Sequence, residues 1–422
     1  MYRDTQIFTP NDFPEYTYVV RKSDNLEERV RESLEIPKQP ISISGPSKSG
    51  KTVLIEKVIG SEHLIKVSGI EIRRSDDLWQ RVLEWMDSPN TVANAQADLD
   101  SSGNRIAGTI SLPGGAATIE GTTLTSQTNT ATETRIRSGL SQVSREISGS
   151  DFVVFIDDFH YMPSNIQADV AREIKTAADR NIKICIASVP HRSDDVVRSN
   201  HELRGRTVNI DTGFWSADDL TQIGTLGFPK LNIVIDNVEV HKIAVEACGS
   251  PQLMQAICLA VCRHFNVRTT SYGTINVALQ QHILKQILED TSLRTDYSSL
   301  LRDIHQGPRT KGQPRDRFNL TDGSNGDVYR CLLLALRQSP TRFQIGYGEL
   351  IERVGTVCAD RQPTSASVQN ACRQITKIAV EHSSAQRIIE WDERSGSGTL
   401  SIVDPYFLFF LRNSNKLDDL KK

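Results

Sequence analysis

Gly45-Pro46-Ser47-Lys48-Ser49-Gly50-Lys51-Thr52 decides the reading of this chain. The β-prone run Ile41-Ser42-Ile43-Ser44 leads into it, and Val53-Leu54-Ile55-Glu56-Lys57-Val58-Ile59, which suits a buried helix, follows. The octet fits Gly-x4-Gly-Lys-Ser/Thr at every position, and it stands between a strand and a helix, the setting this motif needs. Glycines let the backbone wrap so that successive N–H groups point at phosphate oxygens. The N-terminus of the following helix adds partial positive charge there. Lys51 is placed to reach β- and γ-phosphates, and the Thr52 hydroxyl to ligate Mg²⁺. Gly45, Pro46, Ser47, Lys48, Ser49, Gly50, Lys51 and Thr52 are therefore the expected binding loop, with ATP and Mg²⁺ as ligands.

Such a loop needs a second carboxylate at the end of a buried strand. Phe152-Val153-Val154-Phe155-Ile156-Asp157-Asp158 supplies it, because a continuous apolar run is typical of a central parallel strand covered on both faces. Asp157 is the expected Mg²⁺ ligand through water. Asp158 is placed to orient or activate the attacking water.

Outward from these motifs, short apolar runs alternate with helical patterns. Leu26, Val30 and Leu34 recur at helical spacing, as do Leu78, Val82 and Trp85 between Asp76 and Met86. His63–Val67, Ile182–Ala187 and Val208–Ile210 read as strands and Ile166–Arg180 as a helix. This order predicts a parallel α/β sheet. Residues 90–134 break the pattern: they are rich in Ala, Gly, Ser and Thr, and read either as a loosely held hairpin around Pro113-Gly114-Gly115 or as a flexible insertion. After Trp215 the pattern is helical to about Asp296. Residues 302–325 read as a polar linker, and the remainder as three helices followed by a hairpin, the order of a winged helix.

Composition bounds the rest. The chain has 422 residues, 38% hydrophobic and 24% charged, with a net charge of −3, which excludes collagen-like, disulfide-scaffold and globally basic classes. Seven cysteines with no Cys-x-x-Cys sit mostly among apolar neighbours, as reduced buried thiols do. No signal peptide and no run of ~18 apolar residues is visible, so a cytoplasmic protein with no membrane partner is expected.

The Gly45–Thr52 loop, the Asp157-Asp158 pair, the strand tip Ser188-Val189-Pro190-His191-Arg192 and Gly249-Ser250-Pro251 together resemble the STAND branch of the AAA-type P-loop ATPases. Val403-Asp404-Pro405-Tyr406-Phe407-Leu408-Phe409-Phe410-Leu411-Arg412 resembles the winged-helix end of the archaeal/bacterial ATPase group within it, and the order of parts resembles origin-recognition initiator ATPases. The resemblance implies a further strand between the P-loop strand and the acidic strand, with Arg192 at its tip facing the γ-phosphate. It implies that Pro251 packs near the base and couples nucleotide state to a lid. Tyr18-Val19-Val20-Arg21-Lys22 stands where such families carry a hydrophobic-Gly-Arg-Glu segment against the adenine, but lacks its Gly and Glu. Arg21 is the residue carried over. Arg204 or Arg206 is a candidate arginine finger acting across a subunit boundary.

The expected organisation is an α/β ATPase core over 1–215, a helical lid over 216–300, a basic linker over 301–325 and a winged-helix domain over 326–422. The function implied is an ATP-hydrolysing molecular switch that couples nucleotide state to homo-oligomerisation or to a partner effector, as in bacterial antiphage and conflict systems. The alternative is a DNA-binding initiator or loader. Arg302, Arg309, Lys311, Arg315 and Arg317 would meet phosphate backbones, with Gln369, Asn370, Arg373, Gln374 and Lys377 on a recognition helix. A third reading, a nucleotide-binding scaffold without turnover, rests on Asp at 158, where many related ATPases carry Glu. A metabolic kinase is disfavoured, since no acceptor-substrate pocket is visible and a winged helix has no evident use there.

Overall fold

The computed structural model describes residues 1–87, 139–189, 203, 205–310, 312, 314–382, 387–393 and 398–420. The expected insertion at 90–134 lies outside them, as do Arg192, Arg204 and Lys311.

Five strands form one parallel sheet: β1 (Ile41–Ser44), β2 (Leu64–Ser68), β3 (Val153–Asp157), β4 (Lys183–Ser188) and β5 (Val208–Asp211). Their order is β2-β3-β4-β1-β5, so β4 does stand between the P-loop strand and the acidic strand. The strand runs carry no polar alternation because both faces are covered. Ile65, Val67, Val154, Ile156, Ile184 and Ile186 pack with helices Ser75–Trp85, Leu140–Ile147 and Ser164–Asp179. Ile41, Ile43, Leu64, Val153, Phe155, Cys185, Ala187 and Ile210 pack the other way, on helices Leu26–Glu35 and Lys51–Ile59. Period-2 side-chain alternation between two helical layers is what a doubly covered sheet requires. Trp79, fully buried, still finds a partner for its indole N–H in Glu173 Oε2 at 3.1 Å.

The sequence after Trp215 is less uniformly helical than its periodicity suggests. Helices Ala217–Gly227, Asn237–Glu246, Pro251–His264 and Gln281–Ser292 are interrupted by β6 (Ile233–Ile235) and β7 (Ile275–Val277), which pair in parallel. Ser216, Asp236 and Ser250 each cap a helix with their side chains. The stretch expected as a linker is also largely ordered. Helix Ser298–Gln306 buries Leu300, Leu301 and Ile304, and β8 (Phe318–Asn319) pairs with β9 (Asn325–Gly326). Arg315 is bound to Asp327 at 2.8 Å and lies 4.8 Å over the Tyr329 ring, while Arg317 donates to Asn325 Oδ1 at 2.6 Å.

The C-terminal unit runs helix Val328–Arg337, β10 (Gln344–Gly346), helices Tyr347–Val357 and Ser365–His382, β11 (Ile389–Asp392), β12 (Thr399–Ile402) and helix Pro405–Asn413. Its sheet is antiparallel in the order β10-β12-β11; β11 and β12 are the expected hairpin, and β10 was not expected. The unit's buried residues belong to a larger apolar cluster. One apolar cluster joins Ile7 and Phe8 of the amino-terminal segment, Ile257 and Leu259 of the helical region, and Phe407, Phe409 and Phe410 of the last long helix.

Candidate functional site

The phosphate loop leaves the carboxyl end of β1 and enters the helix Lys51–Ile59. Gly45 is required by space: a Cβ there would meet Thr212 Oγ1 at 1.9 Å. Gly50 is required by conformation, since its φ of +90° at the helix start suits residues without a Cβ. The loop is braced on three sides. Ser49 and Thr212 hydroxyls lie 3.1 Å apart, Trp215 Nε1 donates to Ser49 O at 2.9 Å, and Ser250 Oγ donates to Lys48 O at 3.3 Å. Bracing of this kind holds backbone N–H groups ready for an anion, so little ordering cost remains at binding.

Lys51 is buried. Its ammonium donates to the carbonyls of Gly45 at 2.9 Å and Pro46 at 2.8 Å. Burial pulls its pKa down, against the opposing charges of Asp157, Asp158 and Asp211. Thr52 Oγ1 donates to Asp157 Oδ2 at 2.6 Å, so the two expected metal ligands already face each other across the β1–β3 ends. Asp158 follows in the left-handed region at φ 56°. Burial, and then the charge of Asp157, push its carboxyl up to about 6 against the pull of Lys51. A buried cation, a hydroxyl–carboxylate pair and a carboxyl poised nearer neutrality are the donor set that a Mg²⁺-nucleotide needs.

These groups border a cavity of about 700 Å³. Its polar lining includes Lys51, Thr52, Asp157 and Asp158, and its apolar lining Pro10, Phe13, Val19, Ile223 and Pro251. Pro251 also borders the cavity, 3.8 Å from where a Gly50 Cβ would stand. Arg21 also borders it, but its guanidinium is held by the Thr212 carbonyl and Asp24, and lies 5.0 Å over the Trp215 ring. Val189, at the tip of β4, reaches the cavity. Arg206 stands at the amino end of β5, away from the phosphate loop, in an ion pair with Asp179 at 3.4 Å.

Four residues at the site were not anticipated. Trp215 and Thr212 brace the loop from just beyond β5. Tyr161 lies close enough to Asp158, Asp404 and Asp157 that burial and then those charges raise its hydroxyl to about 12. Asp404 arrives from the C-terminal unit: Lys48 Nζ lies 3.2 Å from its Oδ1 and 4.0 Å over the Tyr406 ring. Of the nucleic-acid candidates, Asn370, Arg373 and Lys377 are exposed on helix Ser365–His382, and Arg373 is ion-paired with Glu393.

No protein-family model matches the sequence, and no curated protein matches it. Solved structures do. The ORC2 protein of Aeropyrum pernix, in ADPNP–ADP complexes, aligns over 99% of each chain at 10% identity with a TM-score of 0.51. A Walker-type ATPase of Pyrococcus abyssi aligns over 93% of this chain and 96% of its own, at 14% identity and a TM-score of 0.47. Cdc6p of Pyrobaculum aerophilum aligns over 100% of both chains at 13% identity and a TM-score of 0.42. The ORC2 likeness is one of fold: this chain shares the α/β P-loop fold of that protein. No helix among the described residues is long and apolar enough to cross a membrane.

Proposed function

We propose that this chain binds ATP with Mg²⁺ between its parallel sheet and its helical region, hydrolyses it, and acts as a nucleotide-dependent switch. The observation that carries this is the joint placement of Lys51, Thr52, Asp157 and Asp158 in the lining of one cavity. In the bound state Lys51 exchanges the Gly45 and Pro46 carbonyls for β- and γ-phosphate oxygens. Thr52, and Asp157 through water, hold Mg²⁺, which would neutralise charge on the same oxygens. Asp158 orients the attacking water and accepts its proton. Pro251 and the apolar wall take the base, and Arg192 senses the γ-phosphate.

The switch reading, with a winged helix as the moving part, is supported by the element order helix, strand, two helices, two strands in the C-terminal unit. Its contact with the phosphate loop favours use of that unit on the nucleotide rather than on DNA. Oligomerisation, a partner effector and a role in bacterial conflict defence follow from the resemblance to STAND ATPases, with Arg204 or Arg206 as the finger toward a neighbouring copy. The initiator-like reading keeps one favourable observation, the exposed Asn370, Arg373 and Lys377 on one helix. Titrating duplex DNA at several salt concentrations separates the two. Salt-dependent binding favours the initiator, and its absence with and without ATP favours the switch. Calorimetry of ATP·Mg²⁺ with the wild type and Lys51→Ala tests the core claim: binding is expected only in the wild type, and equal affinity for both ends it.

A further inference from the structure

Lys48 carries the phosphate loop's side-chain contact with the C-terminal unit. Its backbone is fixed in the left-handed region at φ 62°, with its carbonyl held by Ser250. Its ammonium meets Asp404, a carboxylate 1% exposed and 356 residues further on. Asp404 is itself tightly placed. It caps the helix Pro405–Asn413 by accepting from Tyr406 N at 2.9 Å, and accepts from Tyr297 Oη at 2.6 Å. Burial, and then the Asp404 charge, hold the Tyr297 hydroxyl far above its ordinary value, so it stays a donor at every working pH. The charge on Asp404 is also felt by Tyr161, the residue that borders Asp157 and Asp158. A carboxylate from a remote part of the chain therefore stands behind Lys48, which itself lines the cavity.

We infer that Asp404 is an internal anion that competes with the terminal phosphate of a nucleoside triphosphate for Lys48, so that nucleotide binding loosens the attachment of the helix Pro405–Asn413. This deepens the ATP-switch reading and rests on it. The physical cause is crowding of like charge: a triphosphate placed on the loop brings further negative charge toward Asp404, while Lys48 gains a second, mobile acceptor. Two anions that want one cation are coupled, and the coupling is reciprocal: what the triphosphate does to the contact, the contact does to triphosphate affinity. The far end of the same helix is held elsewhere, through Arg412 to Glu246 at 3.1 Å. Loosening therefore begins at residues 403–408 and leaves 412–413 in place.

The test uses the full-length chain. ATP and ADP affinities are measured by calorimetry with Mg²⁺ for the wild type, Asp404→Asn and the milder Tyr297→Phe, alongside amide hydrogen exchange at residues 403–408 without nucleotide. Asp404→Asn is expected to bind ATP about tenfold more tightly, with a smaller gain for ADP, a size usual for coupled sites. Its exchange at 403–408 should be faster than in the wild type and respond little to added ATP. Tyr297→Phe should shift both readouts the same way by less. Should Asp404→Asn fail to fold, Tyr297→Phe alone decides. If the wild type binds ATP while the folded variants bind it no more tightly and exchange alike, the competition is overturned and the ATP reading stands. If the wild type binds no nucleotide, the ATP reading falls first, and the inference with it.

Discussion

The two lysines of the phosphate loop stand three positions apart and answer to different parts of the chain. Lys51 is enclosed by its own loop, held by the carbonyls of Gly45 and Pro46 and faced by Asp157. Lys48 is turned outward, half-exposed, and held by Asp404 and Tyr406 from the C-terminal unit. The first end of the site is built for a ligand from residues that are neighbours in sequence or at the strand ends of one sheet. The second end is a joint between distant segments. The difference teaches that binding and its readout need not share side chains, even within one eight-residue loop.

The contrast can be broken first at its strongest point. Lys51→Ala removes the buried cation that two or more phosphate oxygens would share; charge-assisted bonds of about 1.5–3 kcal/mol each imply at least a 100-fold loss of ATP affinity. Calorimetry reads it, and the Lys48–Asp404 contact should survive, so hydrogen exchange at 403–408 stays as in the nucleotide-free wild type. Next, Asp158→Asn keeps size and removes the proton acceptor. Turnover should drop about 10²-fold or more while ATP affinity changes little, as general-base removal does; steady-state phosphate release beside a binding isotherm checks both halves. Undiminished turnover would take Asp158 out of the chemistry.

A third change acts on the outward lysine. Lys48→Gln removes the cation that Lys48 presents to the buried Asp404, which should lower unfolding stability by about 1 kcal/mol, less than for a fully enclosed pair because Lys48 is partly solvated. Denaturant titration measures it. A comparably small effect supplies a control, a joint that no ligand contests. Arg330, 1% exposed, pairs with Asp322 at 3.0 Å within the C-terminal unit. Burial works upward on that carboxyl, but hydrogen bonds from Ser324 and Arg330 outweigh it and leave it at about 2. A carboxyl depressed in the folded state stabilises above its unfolded value and ceases to do so as pH falls through its folded one. The gap in stability between wild type and Asp322→Asn, of about 1 kcal/mol after solvent screening, should therefore be present at neutral pH and close between about pH 4 and pH 2. Added ATP should not alter it.

The same division explains what the sequence disclosed. The octet, the apolar run before Asp157 and the strand ending at Ser188 are local signals, each a few residues long, and the sheet order follows from them. Pro251 was singled out by resemblance, and its turn, with Cys248 and Gly249 both at positive φ, is a local device too. What stayed hidden is what depends on long-range pairing. The strands Ile233–Ile235 and Ile275–Val277 are three residues each and exist only because they pair with one another. Arg315 and Arg317 looked like a free basic patch until Asp327 and Asn325 were seen to hold them. Asp404 sat inside a motif read as a family signature, with nothing nearby to announce Lys48 as its partner.

The shared apolar cluster has a consequence for how this chain can be divided or recombined. Leu300, Leu301 and Ile304 are fully covered, and their helix packs on helices Val328–Arg337 and Ser365–His382 of the C-terminal unit. A cut near residue 300, the point a modular reading would choose, would open that interior on both fragments and yield two insoluble pieces. A cut between β5 and Ser216 would open it too, because Ile7, Phe8 and Val19 of the amino-terminal segment pack in the same cluster as the helical region. An exchangeable cassette would have to carry the amino-terminal segment along with the helical region and the C-terminal unit.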